Sequence, residues 1–293
     1  MNDQQKASAQ SKKTQSIAEI RKIESGADFS AVEELQKEVW GLPDLDVVPE
    51  AQLIASVAAG GVLLGAFLDD FMAGFVFGFV GYENGHVVHH SHMLAIKPAY
   101  RKHNLGQRLK LAQRETVLQQ GIDTMTWTFD PLQSQNAHIN FSKLGVVSDR
   151  YLVNFYGEEA TSFLLSNGTD RLWLTWLLDS KRVAERETGF RPDIDTRELE
   201  KLVAIGDEDL PILKQFDELG TAERFLIEIP SDINSLQETD FEKAVRWREA
   251  TRSAFAKAIE AGCLVEEFCR SGVNGVENSR YVLNRAKGIK DID

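Results

Sequence analysis

Four histidines crowd one short stretch: His86, His89, His90 and His92. His90 and His92 stand two apart, so on a strand they share one face. A neutral imidazole there can take a proton from an ammonium group near physiological pH. Both are candidate general bases, with His92 the first choice, and the plainer alternative is a hydrogen-bonded histidine in a half-buried strand. Asp130, at the end of another strand and before Pro131, is a second kind of candidate base or simply a turn cap. Two histidines on one face can also bind zinc. No cysteine lies near them and no carboxylate has a supporting spacing, so no metal is expected. Arg171 follows Asp170 and opens a segment carrying Trp173 and Trp176. A guanidinium can grip a substrate carboxylate bidentately. The plainer reading is a salt-bridged strand start with two core tryptophans, and Trp127 likewise reads as a sheet residue.

A second group of residues suits anion binding. Residues 93–110 read MLAIKPAYRKHNLGQRLK, a strand passing through a tight loop straight into a helix. The first N–H groups of a helix have no internal partners. They point outward at the positive end of the helix dipole, and such an end binds a pyrophosphate. Gly106 lets the backbone come close, and Asn104 is a residue type that tolerates left-handed conformation. Arg101, Lys102, His103 and Arg108 add donors. An ordinary strand-to-helix turn would use the same residues, so this loop alone does not decide the matter.

Positioning these groups takes a particular series of elements. A strand over 16–23 precedes a helix opened by Ser30 and Glu33 as a capping box and closed by Gly41. A short helix follows over 50–58. Three strands, 62–68, 71–82 and 86–96, form an antiparallel meander, with Asn84-Gly85 at the second hairpin. Next come a helix over 105–120, a strand over 125–129, a helix over 136–144, and strands over 146–155 and 171–178. Residues 180–202 are charged and read as a connection with some helix. Further on, 225–229 reads as a strand, 239–261 as a capped helix, and 264–268 and 281–284 as strands. That helix carries an apolar stripe broken by Arg248 and Thr251; it needs a partner, which could be the sheet, a small sheet of its own or a sister subunit. A homodimer is therefore among the expectations.

Composition narrows the function classes. The chain has 293 residues, 43% of them hydrophobic, and a formal net charge of -12. That balance speaks against a nucleic-acid surface, which needs clustered Lys and Arg. Two cysteines, Cys263 and Cys269, make no disulfide framework and fit a cytoplasmic location. Residues 1–15 read as a disordered tail, and the apolar run 71–80 is too short for a membrane span. No membrane partner is expected.

The loop Arg101-Lys102-His103-Asn104-Leu105-Gly106 resembles motif A of the GNAT acyltransferase superfamily, Arg/Gln-x-x-Gly-x-Gly/Ala, with Asn104 in place of the first glycine. Asn136 to Val146, NAHINFSKLGV, resembles the family's second motif. The likeness covers roughly 16–178, and segments such as His90–Ala95 and Asp170–Trp176 are similar to a poorly characterised branch with a C-terminal extension. It implies an α/β (α+β) fold: a mixed, mostly antiparallel central sheet flanked by helices, plus a smaller C-terminal α/β unit. The domain expectation is a tail over 1–15, an acyl-CoA-binding domain over 16–180, a connection over 181–224 and an extension over 225–293.

The resemblance also implies a cosubstrate, acetyl-CoA or another acyl-CoA. Backbone groups of Met93, Leu94, Ala95 and Ile96 would meet the pantetheine amides. Arg101, Lys102, His103, Asn104, Leu105, Gly106 and Gln107 would hold the pyrophosphate, with Asn136 and Lys143 contributing from the second motif. The implied activity is acyl transfer by direct attack of an amine on the thioester. The acceptor would be a small molecule, an amino acid among the candidates, although proteins and peptides also fit. The family's usual acid, a tyrosine, is replaced by Phe141, leaving Tyr151 or Tyr156 as substitutes. The rival readings are a non-catalytic module that binds or senses acyl-CoA, and a scaffold whose C-terminal unit holds a protein partner.

Overall fold

A computed structural model describes residues 18–157, 167–214, 222–273 and 276–292, so the tail expected over 1–15 lies outside the described residues. The first half runs β1 (Glu19–Lys22), α1 (Gly26–Trp40), α2 (Glu50–Ala58), β2 (Val62–Leu68), β3 (Phe71–Glu83), β4 (His86–Ile96) and α3 (Leu105–Gln119). It continues with β5 (Thr124–Phe129), α4 (Ser134–Ala137, widening into looser turns over His138–Leu144), β6 (Val147–Leu152) and β7 (Arg171–Leu177). The second half runs α5 (Lys181–Glu187), β8 (Glu200–Ile205), β9 (Pro211–Leu213), β10 (Arg224–Ile229), α6 (Ile233–Thr239), α7 (Phe241–Glu260), β11 (Leu264–Val273) and β12 (Val276–Asn284).

The described strands form one sheet ordered β1-β2-β3-β4-β5-β7-β6-β11-β12-β10-β8-β9. Its pairs are antiparallel except β4–β5 and β8–β10. The mixed, mostly antiparallel sheet and the smaller C-terminal α/β unit are those expected from the sequence. The two parts join where Ser148 of β6 lies opposite Val265 of β11. One face of the first part is covered by α1 and α2, over a core of Val32, Leu35, Leu53, Phe67, Phe75 and Phe77. The other face carries α3 and α4, and its core of Leu109, Trp127, Trp176 and Phe141 continues into the C-terminal unit through Phe255 and Tyr281.

Several elements differ from the sequence expectation. Helix α1 starts at Gly26 because the Ser25 hydroxyl accepts from the Asp28 amide at 3.1 Å. Ser30 therefore sits inside the helix, its hydroxyl turned to the Gly26 carbonyl at 3.1 Å. Asp240, not Thr239, caps α7, accepting from the Lys243 amide at 3.0 Å. Strand β6 ends at Leu152, and the chain turns at Asn154, whose φ is 49°. The charged segment read as a connection supplies β8, which pairs in parallel with β10. Arg248 and Thr251 do not break the buried stripe of α7, because both are themselves buried.

Candidate functional site

Strands β4 and β5 stay together only briefly. His89 lies opposite Met125 and His90 opposite Thr126; no further β4–β5 pairs occur among the described residues. Each strand keeps its outer neighbour. β4 stays on β3 as far as Ile96, and β5 stays on β7 through Phe129. The two inner edges, 91–96 and 127–129, thus part with backbone groups that no longer bond across to each other. Such groups need partners, and an extended ligand can supply them.

A bulge sits at the start of that parting. Phe77 pairs with Met93 but Gly78 pairs with Ser91, so His92 is the extra residue on β4. A bulge re-aims a side chain and twists the strand. Here it keeps His90 and His92 on one face, their ring centroids 6.3 Å apart. Phe79 packs against both, at 5.4 and 5.7 Å. His90 places Nδ1 3.1 Å from the Thr126 hydroxyl and stacks on Trp173 at 5.0 Å. Burial, then the neighbouring His92, pushes His90 down to about 4. His92 is exposed as a residue, yet desolvation by the protein around its ring still lowers its pKa.

The opposite face of the same strands is dry. His89 turns to α3, where Gln113 Nε2 lies 3.3 Å from His89 Nε2 and Gln113 Oε1 accepts from the Ser91 hydroxyl at 2.7 Å. Burial pushes His89 down to about 3. Gly78 makes room for this contact: a Cβ there would fall 2.3 Å from His89 Nε2 and 2.9 Å from Gln113 Nε2. Lys110 lies wholly buried beside them, its Nζ 3.6 Å from the centroid of Trp127, and burial drives its pKa well below the ordinary lysine range.

The loop ahead of α3 has the conformation its sequence suggests. Asn104 adopts φ 55°, ψ 19°, and α3 starts directly after it. The first intrahelical bond is Arg108 N–H to the Asn104 carbonyl at 3.1 Å. The amides of Leu105, Gly106 and Gln107 have no hydrogen-bond partner among the described residues. Gly106 faces the free part of β4, since a Cβ on it would lie 3.7 Å from Leu94 Cδ2. Arg101 and His103 are exposed, and Arg101 Nε donates to the Ile96 carbonyl at 3.2 Å. Asn136 is exposed and Lys143 half-buried on the following helix.

The other candidates sort differently. Asp130 is not a free carboxylate: Arg248 of α7 holds both its oxygens at 2.8 Å, and Oδ1 also accepts from the Leu132 amide at 2.9 Å. That geometry gives it the work of anchoring α7. Tyr156 is half-exposed, and its ring meets Phe155 at 4.8 Å. Tyr151 donates to Asp170 at 2.7 Å and is closed off by Phe255. Phe141 is fully buried against Tyr281, whose hydroxyl donates to the Pro131 carbonyl at 2.6 Å. Trp176 is core, as read, while Trp173 instead flanks His90. Arg171 has no carboxylate partner among the described residues, contrary to the salt-bridged reading. Sequence reasoning missed Gln113 and Lys110, whose only signal is that both fall on the inward row of α3 with Val117.

Among the described residues no group of His, Cys, Asp and Glu could hold a metal ion, and no helix is long and apolar enough to cross a membrane. No family model matches the sequence, and no curated protein matches it. Solved structures do. The ribosomal-protein-S18-alanine N-acetyltransferase from Escherichia coli is 15% identical, covering 55% of this chain and 94% of its own, with a TM-score of 0.45. An aminoglycoside 6'-acetyltransferase type Ii is 17% identical, covering 55% of this chain and 97% of its own, with a TM-score of 0.44. A GNAT family acetyltransferase from Elizabethkingia anophelis, solved with acetyl-CoA bound, is 13% identical, covering 55% of this chain and 98% of its own, with a TM-score of 0.42. Over about that share of its length the chain is similar to acetyltransferases of the GNAT family.

Proposed function

We propose that this protein transfers an acetyl or other short acyl group from acyl-coenzyme A to the amine of a small molecule. The observation that carries the reading is the parting of β4 and β5 beside the open N-terminus of α3. The parted edge of Met93–Ile96 offers backbone groups to the pantetheine amides. The amides of 105–107 face the pyrophosphate, aided by the positive end of α3. Arg101 and His103, exposed on that loop, add donors around the phosphates, and Asn136 and Lys143 stand on the helix beyond. The thioester then lies near the bulge, where the neutral imidazole of His92 can accept the ammonium proton and His90, held down to about 4, is the weaker base beside it. Tyr156 supplies a phenolic proton on the same face.

Phe141, buried at the position where the resemblance implies a tyrosine acid, favours a second reading, in which the domain binds acyl-CoA without turnover. A thiolate leaves without assistance far more readily than an alkoxide, so the transferase reading stands first. Thiol release from acetyl-CoA, followed with a panel of amines beside direct measurement of CoA binding, separates the two. Amine-dependent release is the expected result. Tight binding without release for any amine would assign the non-catalytic role, and no CoA binding at all would overturn both.

A further inference from the structure

Near the end of β5, at the start of β7 and along α7, three guanidiniums meet two carboxylates. Arg248 is committed to both oxygens of Asp130, at 2.8 Å each. Arg252 is committed to both oxygens of Asp170, at 2.7 and 2.9 Å. Arg171 is left over. It is 9% exposed, and among the described residues its one hydrogen bond runs from Nη1 to the adjacent Asp170 carbonyl at 2.9 Å. Among the described residues its other nitrogens have no hydrogen-bond partner, and Asp130 and Asp170 act on it only through space. A buried cation without a counter-ion is costly to hold, and a fold that keeps one leaves room for an anion.

The surroundings say where that anion would lie. The guanidinium stands 5.2 Å from the ring centroid of Tyr156. Tyr156 touches Phe155, Phe155 touches Trp173 at 6.5 Å, and Trp173 stacks on His90. Arg171 and Trp173 are two apart on β7 and so share a face. One continuous strip of rings therefore joins Arg171 to the paired histidines.

We propose that Arg171 anchors a carboxylate on the acceptor, so that the substrate is a small amine of the amino-acid type, its amine near His92 and His90. The inference rests on the acyl-transfer reading given above. Charge balance favours a carboxylate over a phosphate. One negative charge neutralises the excess of one guanidinium, whereas a phosphate dianion would leave a negative charge in its place.

The test uses the full chain with acetyl-CoA and matched acceptors: an amino acid, its carboxamide, and the amine lacking the carboxyl carbon. Thiol release should show kcat/KM on the order of 10- to 100-fold higher for the carboxylate than for the amide, the worth of a charged hydrogen-bonded pair. Arg171→Gln should bring that ratio close to one, and Arg171→Lys should keep part of it. Because the ratio is taken within each variant, partial misfolding does not change it. Equal use of amide and carboxylate, a ratio that survives Arg171→Gln, or preference for a phosphate-bearing amine would overturn the assignment while leaving acyl transfer intact. Failure to acylate any amine, with CoA bound, would remove both.

Discussion

Breaking the Asp130–Arg248 pair should cost more from the carboxylate side than from the guanidinium side. The two side chains are 9% and 4% exposed, and the contact is bidentate. Removing one partner of a buried pair costs roughly 3–5 kcal/mol, because the other is left charged without water. The cluster's charges set the order within that range. Arg248→Met leaves Arg171 and Arg252 facing Asp130 and Asp170, two against two, so about 3 kcal/mol is expected. Asp130→Asn leaves three guanidiniums around Asp170 alone, so about 5 kcal/mol is expected. At roughly 2 °C per kcal/mol for a chain of this size, these are falls of about 6 and 10 °C in Tm. Urea unfolding followed by tryptophan fluorescence measures both without adding a salt that would screen the charges. The double variant Asp130→Leu/Arg248→Met should recover most of the loss, since an apolar pair of similar volume leaves no buried charge behind. Strict additivity, or a smaller loss for Asp130→Asn than for Arg248→Met, would refute this account of the cluster and the excess charge on which Arg171's role depends.

Three further outcomes are expected. The neutral, buried His89 is held down to about 3, below the ordinary 6.5. Its stabilising effect is complete above pH 6.5 and lost as pH falls toward 3, because the unfolded chain takes the proton first; His89→Gln should flatten the stability curve over that window, and an unchanged slope would contradict the buried site. If His92 is the base, His92→Ala should lower kcat about 10²-fold or more while CoA binding stays the same, with activity falling on the acid side below pH 6.5; an unaltered kcat removes it from the chemistry. Asn104 holds φ 55°, so Asn104→Gly should keep CoA affinity, whereas Asn104→Val should cost about 1–3 kcal/mol through the strained backbone and weaken binding. Equal affinity in the two variants would show that the turn does not depend on this conformation.

Local signals carried a large part of the fold. Hairpins at Asn84-Gly85, helix stops at Gly41, Gly121 and Gly145, and the left-handed Asn104 were each legible because the residue type alone fixes the backbone. Ser25 and Ser30 are both of a type that caps helices, and only packing decides at which of them the helix begins. Strand β8 was hidden for a different reason. It pairs with β10, whose apolar residues are evident, but its own sequence opens on Glu200 and Lys201 within a charged stretch, and strand propensity depends on what lies beside it.

The site shows the same division more sharply. The same-face histidines followed from spacing, but the bulge that sets His92 apart is a matter of register with β3, and no single-strand pattern encodes it. Asp130 looked like a free carboxylate because its partner lies 118 residues further on, in a helix where Arg248 looked like a flaw. Each residue was anomalous alone: a charge at the end of a buried strand, and a charge in an apolar stripe. Burial makes opposite anomalies seek one another, since either charge unpaired would cost several kcal/mol. The same reasoning, applied to the Arg171 guanidinium, which bonds no carboxylate among the described residues, is the ground for proposing that a ligand supplies the further negative charge. Arg171 sits where β7 begins, at the open end of the parted strands, and that is where an acceptor would have to bring its own anion.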